Sequence, residues 1–370
     1  MRIVLTGGGT GGHIFPIIAV ARKIRELASE GADLEFLFLG PDGELEKEAM
    51  EKEMIPTKNI LSGKLRRYFS LSYISDVIKI PIGIVQSLWQ LLFFMPDVVF
   101  SKGGYAGVPV VAAAWIYRIP IVIHESDIMP GLANQFAGKL ARIVLVSFPG
   151  AANFFNPGKV EISGNPIRQE LAQGSKEEAK KIFGLPEGRK TILVMGGSQG
   201  AKVINESIIH ILPKLVKNFE IIHLTGGGEY ENVIQEAGRI GIKAGHSSGY
   251  HPYPFLRKEM AAALALADLV ISRAGANAIS EIAANGKAAI IIPIKSSANN
   301  HQQLNAYALQ ESGAAIVLEQ DNLGENIFFE KIEEVMKSGE LQFELGERIK
   351  KFYNVDAAEK IAQKIIKLAN

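Results

Sequence analysis

The chain begins with MRIVLTGGGTGGHIFP, residues 1–16, in which a short apolar run meets a glycine-rich turn. Gly7, Gly9 and Gly12 stand at G-x-G-x-x-G spacing, between an apolar run at residues 3–5 and a helical pattern at residues 14–27. This layout is typical of the strand, phosphate-binding turn and helix that open a Rossmann-type domain. The first hypothesis is therefore a dinucleotide site, which the rest of the chain must support or exclude.

Two features argue against NAD at this turn. A dehydrogenase fingerprint has no use for the imidazole of His13, which follows the turn directly. It also requires an acidic residue at the end of the second strand to hold a ribose. Here that strand ends in FLFLGPDGE, and Asp42 comes late, after Gly40 and Pro41. The sequence favours instead a loop that holds a charged acceptor, or a tight turn with a capping histidine.

Apolar, β-branched runs alternate with helical patterns along the chain, as in parallel sheets covered on both faces. The predicted strands are residues 3–6, 34–39, 97–101, 121–124 and 143–146, then 191–195, 220–224, 269–272, 289–293 and 315–318. The second series opens with TILVMGGSQGAKVINESIIHIL, the same strand, turn and helix as the first. We therefore predict an α/β protein with two Rossmann-like, doubly wound parallel-sheet domains facing a cleft. The domains are residues 1–163 and 164–351, and a helix at about 352–370 packs back on the first.

Composition limits the function classes. The 370 residues include 47% hydrophobic residues, a net charge of +1 and no cysteine. A near-neutral chain is not expected to bind nucleic acid, and disulfides and thiolate metal sites are excluded. Residues 77–95 carry a single charge, Lys79, over nearly the length that spans a bilayer. Pro81 and Gly83 favour a helix with a partly packed apolar face instead.

In doubly wound domains, ligands bind in the loops at the carboxyl ends of the strands. In the first domain these loops carry His13, the glycine-rich turn 101–105, and a polar group after the fourth strand made of His124, Glu125, Asp127 and Asn134. Four polar side chains at a strand exit form a candidate acid/base or sugar-binding cluster. The alternative is a buried hydrogen-bond network that holds the loop.

The second domain offers three such loops. MGGSQGA places Ser198, Gln199 and Gly200 at a helix start, which suits phosphate. In ISRAGANAISE, Glu281 can accept two hydrogen bonds from a ribose diol, or can simply favour the helix dipole. In NNHQQLNA, the amides of Gln302 and Gln303 can bind sugar hydroxyls, or can belong to a solvated helix start.

Seven motifs run in one order from residue 7 to residue 306: GGGTGGHIFP, GGYAGVP, HESD-x-x-PGLAN, GNPIR, GGSQGA, SRAGANAISE and NNHQQLNA. Together they closely resemble the MurG family of glycosyltransferase family 28, which converts lipid I to lipid II in bacterial peptidoglycan synthesis. The resemblance implies a GT-B fold with the acceptor on the N-terminal domain and UDP-GlcNAc mainly on the C-terminal domain. It also implies an inverting transfer of GlcNAc to the 4-hydroxyl of MurNAc in a polyprenyl-diphosphate lipid.

The resemblance also implies the binding residues. The donor residues would be Thr10, Gly11, Gly12, Asp127, Asn134, Arg168, Ser198, Gln199, Leu256, Ala276, Asn277, Ala278, Ile279, Ser280, Glu281, Gln302 and Gln303. The acceptor residues would be Gly9, His13, Gly103, Gly104 and Tyr105. Arg168 and Ser198 would face the diphosphate, and the backbone near Leu256 would bind uracil. Some family members carry Asn where this chain has Asp127, and an ionised carboxylate there can only accept hydrogen bonds.

Inversion needs one displacement and a base that takes the acceptor's proton. His13 is the natural candidate because the free imidazole pKa is near neutrality. Glu125 is its rival if burial raises the carboxyl pKa. Loop amides, a helix start and Arg168 could stabilise the leaving UDP without a metal, and no D-x-D pair occurs in the chain. We expect no cofactor and no metal.

A lipid-linked acceptor implies an anionic membrane surface as a partner, met peripherally from the cytoplasmic face. Lys64, Arg66, Arg67 and Lys79 would supply charge, and Tyr68, Phe69, Ile80, Ile82 and Trp89 would supply apolar and interfacial groups. The alternative for this stretch is packing in the core. Association with other cell-wall synthesis proteins is a further hypothesis.

Three alternative functions stay open at this point. They are another GT-B UDP-sugar transferase acting on a lipid, such as a diacylglycerol galactosyltransferase, an NAD-dependent oxidoreductase, and a non-catalytic nucleotide-binding subunit.

Overall fold

The structure, a computed structural model, describes residues 1–9, 11–28, 33–63, 71–197, 200–295, 297 and 300–370. The chain divides into two compact units. Unit 1 is Met1–Arg168 together with Asn354–Asn370, and unit 2 is Gln169–Tyr353. The predicted break after residue 163 lies just before this division. Each unit is built on a parallel sheet flanked by helices, which confirms the predicted α/β class with two Rossmann-like, doubly wound domains.

Unit 1 holds a sheet with the order β3-β2-β1-β4-β5-β6-β7, and its strands pair in parallel. Its strands are Arg2–Thr6 (β1), Glu35–Gly40 (β2), Thr57–Asn59 (β3), Val98–Ser101 (β4), Ile121–Glu125 (β5), Ile143–Val146 (β6) and Val160–Ile162 (β7). The helices between them are Gly11–Leu27 (α1), Glu44–Lys52 (α2), Leu71–Phe94 (α3), Gly107–Ile116 (α4) and Leu132–Leu140 (α5). The winding reverses between β1 and β4, which creates a crevice at their carboxyl ends.

Strand β1 shows why the apolar runs become central strands. Ile3, Val4 and Leu5 are all fully buried. Ile3 and Leu5 pack with α1 on one face of the sheet, and Val4 packs with α4 on the other. Successive side chains point to opposite faces, so a strand covered on both sides must be apolar throughout.

Unit 2 repeats this plan with the sheet order β10-β9-β8-β11-β12-β13. Its strands are Lys190–Met195 (β8), Phe219–Leu224 (β9), Tyr250–Tyr253 (β10), Leu269–Ser272 (β11), Ala288–Ile291 (β12) and Ile316–Val317 (β13). Its helices are Lys176–Phe183 (α6), Lys202–Leu215 (α7), Tyr230–Arg239 (α8), Met260–Leu266 (α9), Ala276–Ala284 (α10), His301–Glu311 (α11), Glu325–Lys337 (α12) and Gly339–Ile349 (α13). Here the winding reverses between β8 and β11.

All the predicted strands are present, and the sequence missed three short ones at the sheet edges, β3, β7 and β10. β3 has the polar sequence TKN, and β7 has only three residues. β10 contains Pro252, which argues against a central strand but is tolerated at an edge. Edge strands need little apolar surface, so their sequences carry little signal.

The C-terminal helix Ala357–Ala369 (α14) belongs to unit 1. Ile361, Ala362 and Ile365 are fully buried in the core that contains α1. The Asn354 amide donates to the carbonyl oxygen of Ser163 at 3.0 Å, which fastens the returning chain to the end of β7. Unit 1 is therefore completed by a helix that follows unit 2 in the chain.

Helix α3 covers the apolar stretch that could be mistaken for a membrane span. It is 24 residues long and contains Pro81. Within the residues that the structure describes, no helix combines the length and apolarity needed to cross a bilayer. Leu91 and Ser87 are buried against the unit, while other apolar side chains of the helix face outward.

Candidate active site

The loops after β1 and β4 meet in unit 1 because these strands are neighbours, with Thr6 opposite Ser101. Gly104 has φ +82°, and a Cβ there would lie 2.7 Å from the carbonyl oxygen of Gly8 and 3.2 Å from Cε1 of His13. Only glycine fits this contact. The structure thus brings His13 and the 103–104 turn together, as the predicted acceptor residues require.

Gly9 and Tyr105 are also in contact. A Cβ on Gly9 would lie 2.9 Å from Cε1 of Tyr105. Burial raises the pKa of Tyr105, and the charges of Glu46 and Asp76 raise it further. Gly11 and Gly12 open α1 beside this contact, and Thr10 lies outside the described residues.

Glu46 is a site residue that the sequence did not reveal. It lies on α2, is 5% exposed, and accepts a hydrogen bond from the backbone N–H of Gly9 at 2.8 Å. One amide of the glycine-rich turn is therefore already bound to a carboxylate. Asp42, considered above for a ribose, is exposed and forms an ion pair with Lys47. Glu46 stands in an acid-rich helix, ELEKEAMEK, where nothing marks one carboxylate as buried.

His13 is held neutral at physiological pH. Burial lowers its pKa to about 4, and the positive charge of Lys102 lowers it as well. A hydrogen bond to the backbone of Gly8 acts in the opposite direction. Because a carbonyl can only accept, the ring donates its single N–H there, and its other nitrogen is unprotonated.

The loop after β5 centres on the buried carboxylate of Glu125. Its Oε1 accepts from the backbone N–H of Asp127 and its Oε2 accepts from Nδ2 of Asn134, both at 2.9 Å. Burial raises the pKa of Glu125, and the charge of Asp127 raises it further. Lys102 and the two hydrogen bonds lower it. Glu125, Asp127 and Asn134 thus form the polar cluster that the sequence predicts.

His124 joins this cluster only through its carbonyl oxygen, which accepts from Nδ2 of Asn134 at 3.2 Å, while its side chain does not, which corrects that part of the prediction. Neighbouring residues of a strand face opposite sides, and Nε2 of His124 lies 2.9 Å from the carbonyl oxygen of Gly164. Burial holds the pKa of His124 well below its usual value. Its role is the alternative considered above, a buried hydrogen bond that ties β5 to the chain after β7.

Lys102 is the second residue that the sequence reasoning missed. It follows β4 directly and is only 2% exposed, and its Nζ donates to Oγ of Ser126. Burial lowers the pKa of Lys102 to about 8, while the charges of Glu125 and Asp127 raise it. The available signal was a lysine between a buried strand and a glycine turn, in FSKGGY.

Arg168, a predicted donor residue, lies at the end of unit 1. Its guanidinium carbon lies 4.5 Å from the ring centre of Phe15 on α1. This cation–π contact holds the side chain near the start of that helix.

In unit 2, β8 and β11 are neighbours, with Met195 opposite Ser272, so the loops that follow them are adjacent. Ser198 and Gln199 lie outside the described residues. Helix α10 starts at Ala276 with its N-terminus at the strand end. A helix start of this kind favours an anionic ligand.

Along α10 the predicted donor residues differ in exposure. Ile279 is fully buried in the core and Ser280 is 2% exposed, donating to the carbonyl oxygen of Ala276 at 2.8 Å. Asn277, Ala278 and Glu281 are only partly buried, and Glu281 is in the second turn. Any ligand contact of Ile279 must therefore use its backbone.

Gln302 and Gln303 are partly buried in the first turn of α11. Oε1 of Gln302 accepts from the N–H of Ile294 at 3.2 Å, which directs this amide toward the loop after β12. Fully buried Asn305 donates to the carbonyl oxygen of Ala274 at 3.0 Å and ties α11 to the loop after β11. Leu256 packs, partly buried, against the core of unit 2.

Arg273 supports these loops and was not predicted. It is 8% exposed, and its Nη1 donates to the carbonyl oxygen of Ile292 at 3.2 Å and to Oε1 of Gln320 at 3.0 Å. Burial lowers its pKa. The side chain thereby fastens the end of β11 to the end of β12.

The predicted membrane residues fall into three groups. Lys64, Arg66, Arg67, Tyr68 and Phe69 lie outside the described residues. Lys79 pairs with Asp76 at 3.4 Å, and Ile80 is partly buried. Ile82 and Trp89 are exposed on α3, and Trp89 is 60% exposed.

The exposed apolar surface is larger than the sequence suggested. Further exposed apolar side chains on and after α3 are Ile78, Val85, Leu92, Phe93 and Met95, and those at the end of α4 are Trp115, Ile116 and Tyr117. Helices α3 and α4 pack against each other. The residues that the structure describes include no group of three or more metal-ligating side chains.

Comparison with known proteins identifies the family. The models of the glycosyltransferase family 28 N-terminal and C-terminal domains match residues 3–146 and 191–364. A Clostridium perfringens relative, named as a UDP-N-acetylglucosamine–N-acetylmuramyl-(pentapeptide) pyrophosphoryl-undecaprenol N-acetylglucosamine transferase, is 38% identical over 340 residues, 92% of this chain and 91% of its own. The chain belongs to glycosyltransferase family 28. A Legionella pneumophila relative of the same name is 39% identical over 363 residues, 97% of this family 28 chain and 94% of its own.

Solved structures place the family 28 chain in the GT-B fold, as predicted. It is similar to Acinetobacter baumannii MurG, with a TM-score of 0.74, 24% identity and 99% of both chains covered. It is also similar to Neisseria meningitidis UDP-GlcNAc 2-epimerase, with a TM-score of 0.70, 13% identity and 99% and 100% covered. Since an epimerase shares the fold, the fold alone does not fix the activity. Membership of family 28 makes the chain a glycosyltransferase and removes the oxidoreductase hypothesis.

Proposed function

We propose that the chain is an inverting transferase that moves GlcNAc from UDP-GlcNAc to the MurNAc 4-hydroxyl of undecaprenyl-diphosphoryl-MurNAc-pentapeptide, lipid I, to form lipid II. The observation that carries the proposal is the match to relatives named for this transfer, at 38% and 39% identity over more than nine-tenths of the chain. Motifs of both units, in the order expected for these enzymes, support it.

The reaction is a single displacement. The acceptor 4-hydroxyl oxygen bonds to C1 of GlcNAc, the bond from C1 to the UDP oxygen breaks, and the hydroxyl proton passes to a base. His13 is our first candidate because its neutral ring presents an unprotonated nitrogen beside the 103–104 turn. The same desolvation keeps this nitrogen unprotonated at pH 7, but it also makes the ring a weaker base than an imidazole whose pKa lies near the working pH.

Glu125 is the second candidate. Burial raises the pKa of its carboxyl group toward the range useful for a base. Both of its oxygens already accept hydrogen bonds, from the N–H of Asp127 and from Asn134. Those contacts favour a role in shaping the loop, so we rank it below His13.

We assign the acceptor to unit 1, where Gly9, His13, Tyr105 and the 103–104 turn converge. We assign UDP-GlcNAc mainly to unit 2, with its diphosphate at the start of α10, its ribose on Glu281 and its sugar on Gln302 and Gln303. The other proposed donor residues are Thr10, Gly11, Gly12, Asp127, Asn134, Arg168, Ser198, Gln199, Leu256 and 276–280. The positive end of the α10 dipole and Arg168 would offset the charge that develops on UDP.

We propose that α3 and the end of α4 rest on the membrane that carries the acceptor, on its cytoplasmic face. Ile78, Ile82, Val85, Trp89 and Leu92 are exposed at spacings of three and four residues, which line up along one face of a helix. An exposed apolar stripe along one face, with a tryptophan suited to the membrane–water interface, is typical of peripheral membrane helices. The basic residues just before α3 in the chain would add attraction to anionic lipid.

Transfer of radiolabelled GlcNAc to a short-chain lipid I analogue tests the function. Wild type should transfer to this acceptor, and His13→Ala should lower kcat by about 10²–10⁴ with the donor KM nearly unchanged. His210→Ala, on an exposed histidine of α7, is the matched control. No transfer to lipid I, or transfer to diacylglycerol instead, would overturn the proposal. A loss of only a few-fold in His13→Ala would move the base role to Glu125.

A further inference from the structure

Unit 1 contains a buried cation that the proposed reaction does not use. Lys102 is 2% exposed and donates to Oγ of Ser126. Ser126 stands between Glu125 and Asp127 in the loop after β5. A lysine is almost never this buried unless carboxylates accompany it, so its neighbours should explain its presence.

Titratable groups approach this cluster from several elements. They are His13 from α1, His124 and Glu125 from β5, and Asp127 from the following loop. Both histidines have lowered pKa values and are neutral at pH 7. The charged groups left are one ammonium, Lys102, and two carboxylates, Glu125 and Asp127.

The two neighbours act on Glu125 with opposite signs. The charge of Asp127 favours protonation of Glu125, and the charge of Lys102 opposes it. Glu125 must stay ionised to accept at both oxygens, because a protonated carboxyl group presents a donor at one of them. Its partners are the N–H of Asp127 and Nδ2 of Asn134, and Asn134 abuts Gly103.

We propose, on the basis of the transfer function proposed above, that Lys102 is a positioning residue: its buried ammonium offsets Asp127, so that Glu125 remains a carboxylate and keeps both hydrogen bonds. Lys102 does not touch substrate in this role. It acts through the loop after β5, which Glu125 joins to Asn134 and hence to the 103–104 turn beside His13. Removing the ammonium alone leaves buried Glu125 beside the charge of partly buried Asp127 with no cation to offset it, and removing the charge of Asp127 as well restores the balance.

The test compares Lys102→Met, Asp127→Asn and the double variant, with Lys337→Met as a control at an exposed ion pair on α12. One readout is the melting temperature from pH 5 to pH 8, which needs no substrate. The other is kcat against pH at saturating UDP-GlcNAc. Methionine keeps most of the length of lysine without its charge.

Lys102→Met should lower the melting temperature. It should also shift the acidic limb of the plot of kcat against pH to higher pH by about 1–3 units, the usual effect of losing a close opposite charge. Asp127→Asn should move the limb downward, because a charge that favours protonation of Glu125 is gone. The double variant should recover the melting temperature of wild type and move the acidic limb back toward that of wild type, short of full recovery because the charge of Lys102 also lowers the pKa of His13. If Lys102→Met does not fold, two results still test the inference. They are the downward shift of the acidic limb in Asp127→Asn and the recovered folding of the double variant.

Two results would overturn the inference. A double variant as impaired as Lys102→Met would show that Lys102 does not offset Asp127. A raised acceptor KM in Lys102→Met with an unmoved acidic limb would show direct contact with the acceptor diphosphate. An inactive wild type would refute the proposed transfer instead, and the melting temperatures would still decide the role of Lys102.

Discussion

Replacing Glu46 with alanine tests how the glycine-rich turn keeps its shape. The Glu46 carboxylate is 5% exposed and accepts from the N–H of Gly9 at 2.8 Å. A Cβ on Gly43 would lie 2.1 Å from Oε2 of Glu46, so the turn after β2 also closes over this side chain. Glu46→Ala removes a hydrogen bond to a charged group and leaves a partly buried N–H without its acceptor.

Such a bond contributes about 1.5–3 kcal/mol, which corresponds to roughly 10- to 200-fold in the population of turns that keep this geometry. We expect the unfolding free energy of unit 1 to fall by about that amount, and kcat to fall by up to the same factor because the backbone of Gly8 holds His13. Glu46→Gln keeps a neutral acceptor, worth about 0.5–1.5 kcal/mol, and should recover part of both losses.

Urea unfolding followed by tryptophan fluorescence is the suitable assay, because both tryptophans, Trp89 and Trp115, belong to unit 1. Glu48→Ala on the same helix is the control. Glu48 pairs with Lys52 at 2.8 Å on the exposed side of α2, and exposed pairs contribute about 0–1 kcal/mol. If Glu46→Ala unfolds like Glu48→Ala and keeps wild-type kcat, the bond to Gly9 does not shape the site.

Three more predictions follow from individual contacts. Glu281→Ala should raise the KM for UDP-GlcNAc at least about tenfold, since one charged hydrogen bond is worth about 1.5–3 kcal/mol; unchanged donor kinetics would remove the ribose assignment. Burial lowers the pKa of His223 from 6.5 to about 3, so its neutral form stabilises unit 2 fully above pH 6.5 and this stability is lost as the pH falls toward 3. Between pH 6.5 and 5 the unfolding free energy of wild-type unit 2, followed by circular dichroism, should fall by about 2 kcal/mol. In His223→Gln the unfolding free energy should fall less over the same pH range. Trp89→Glu should weaken binding to anionic vesicles and transfer to long-chain lipid I in vesicles; equal loss on a short-chain soluble acceptor would indicate misfolding or a role in the site.

The central strands were predictable because a parallel sheet covered on both faces must be apolar at every position, as at Ile3, Val4 and Leu5. Edge strands escape this requirement, and Pro252 made β10 look like a loop. The two similar strand, turn and helix series also predict that unit 2 repeats the plan of unit 1. The local hydrophobic pattern thus predicts the two similar parallel-sheet units. It does not predict the edge strands, because these form only through pairing with a neighbouring strand.

The position of candidate site residues could be predicted where polar side chains follow a strand, as for Glu125 and His13, and their roles stay predictions. Glu46 was not, because its partner is the backbone of a turn 37 residues away in the chain and its neighbours on α2 are also acidic. Lys102 was missed because burial of a lysine depends on carboxylates that another loop supplies. His124 was assigned to the cluster because sequence order does not show which face of β5 a side chain takes.

The position of α14 affects the order in which the protein can acquire its structure during synthesis. Unit 2 is one uninterrupted segment, while the core of unit 1 includes Ile361 and Ile365, translated after all of unit 2. Domains generally fold as units, the N-terminal one first as the chain emerges. Here residues 1–168 of unit 1 are made before unit 2 and keep part of their apolar surface exposed until α14 is made, so unit 2 can complete its fold before unit 1. A premature stop that spares unit 2 entirely would therefore leave unit 1 without the residues that close its core.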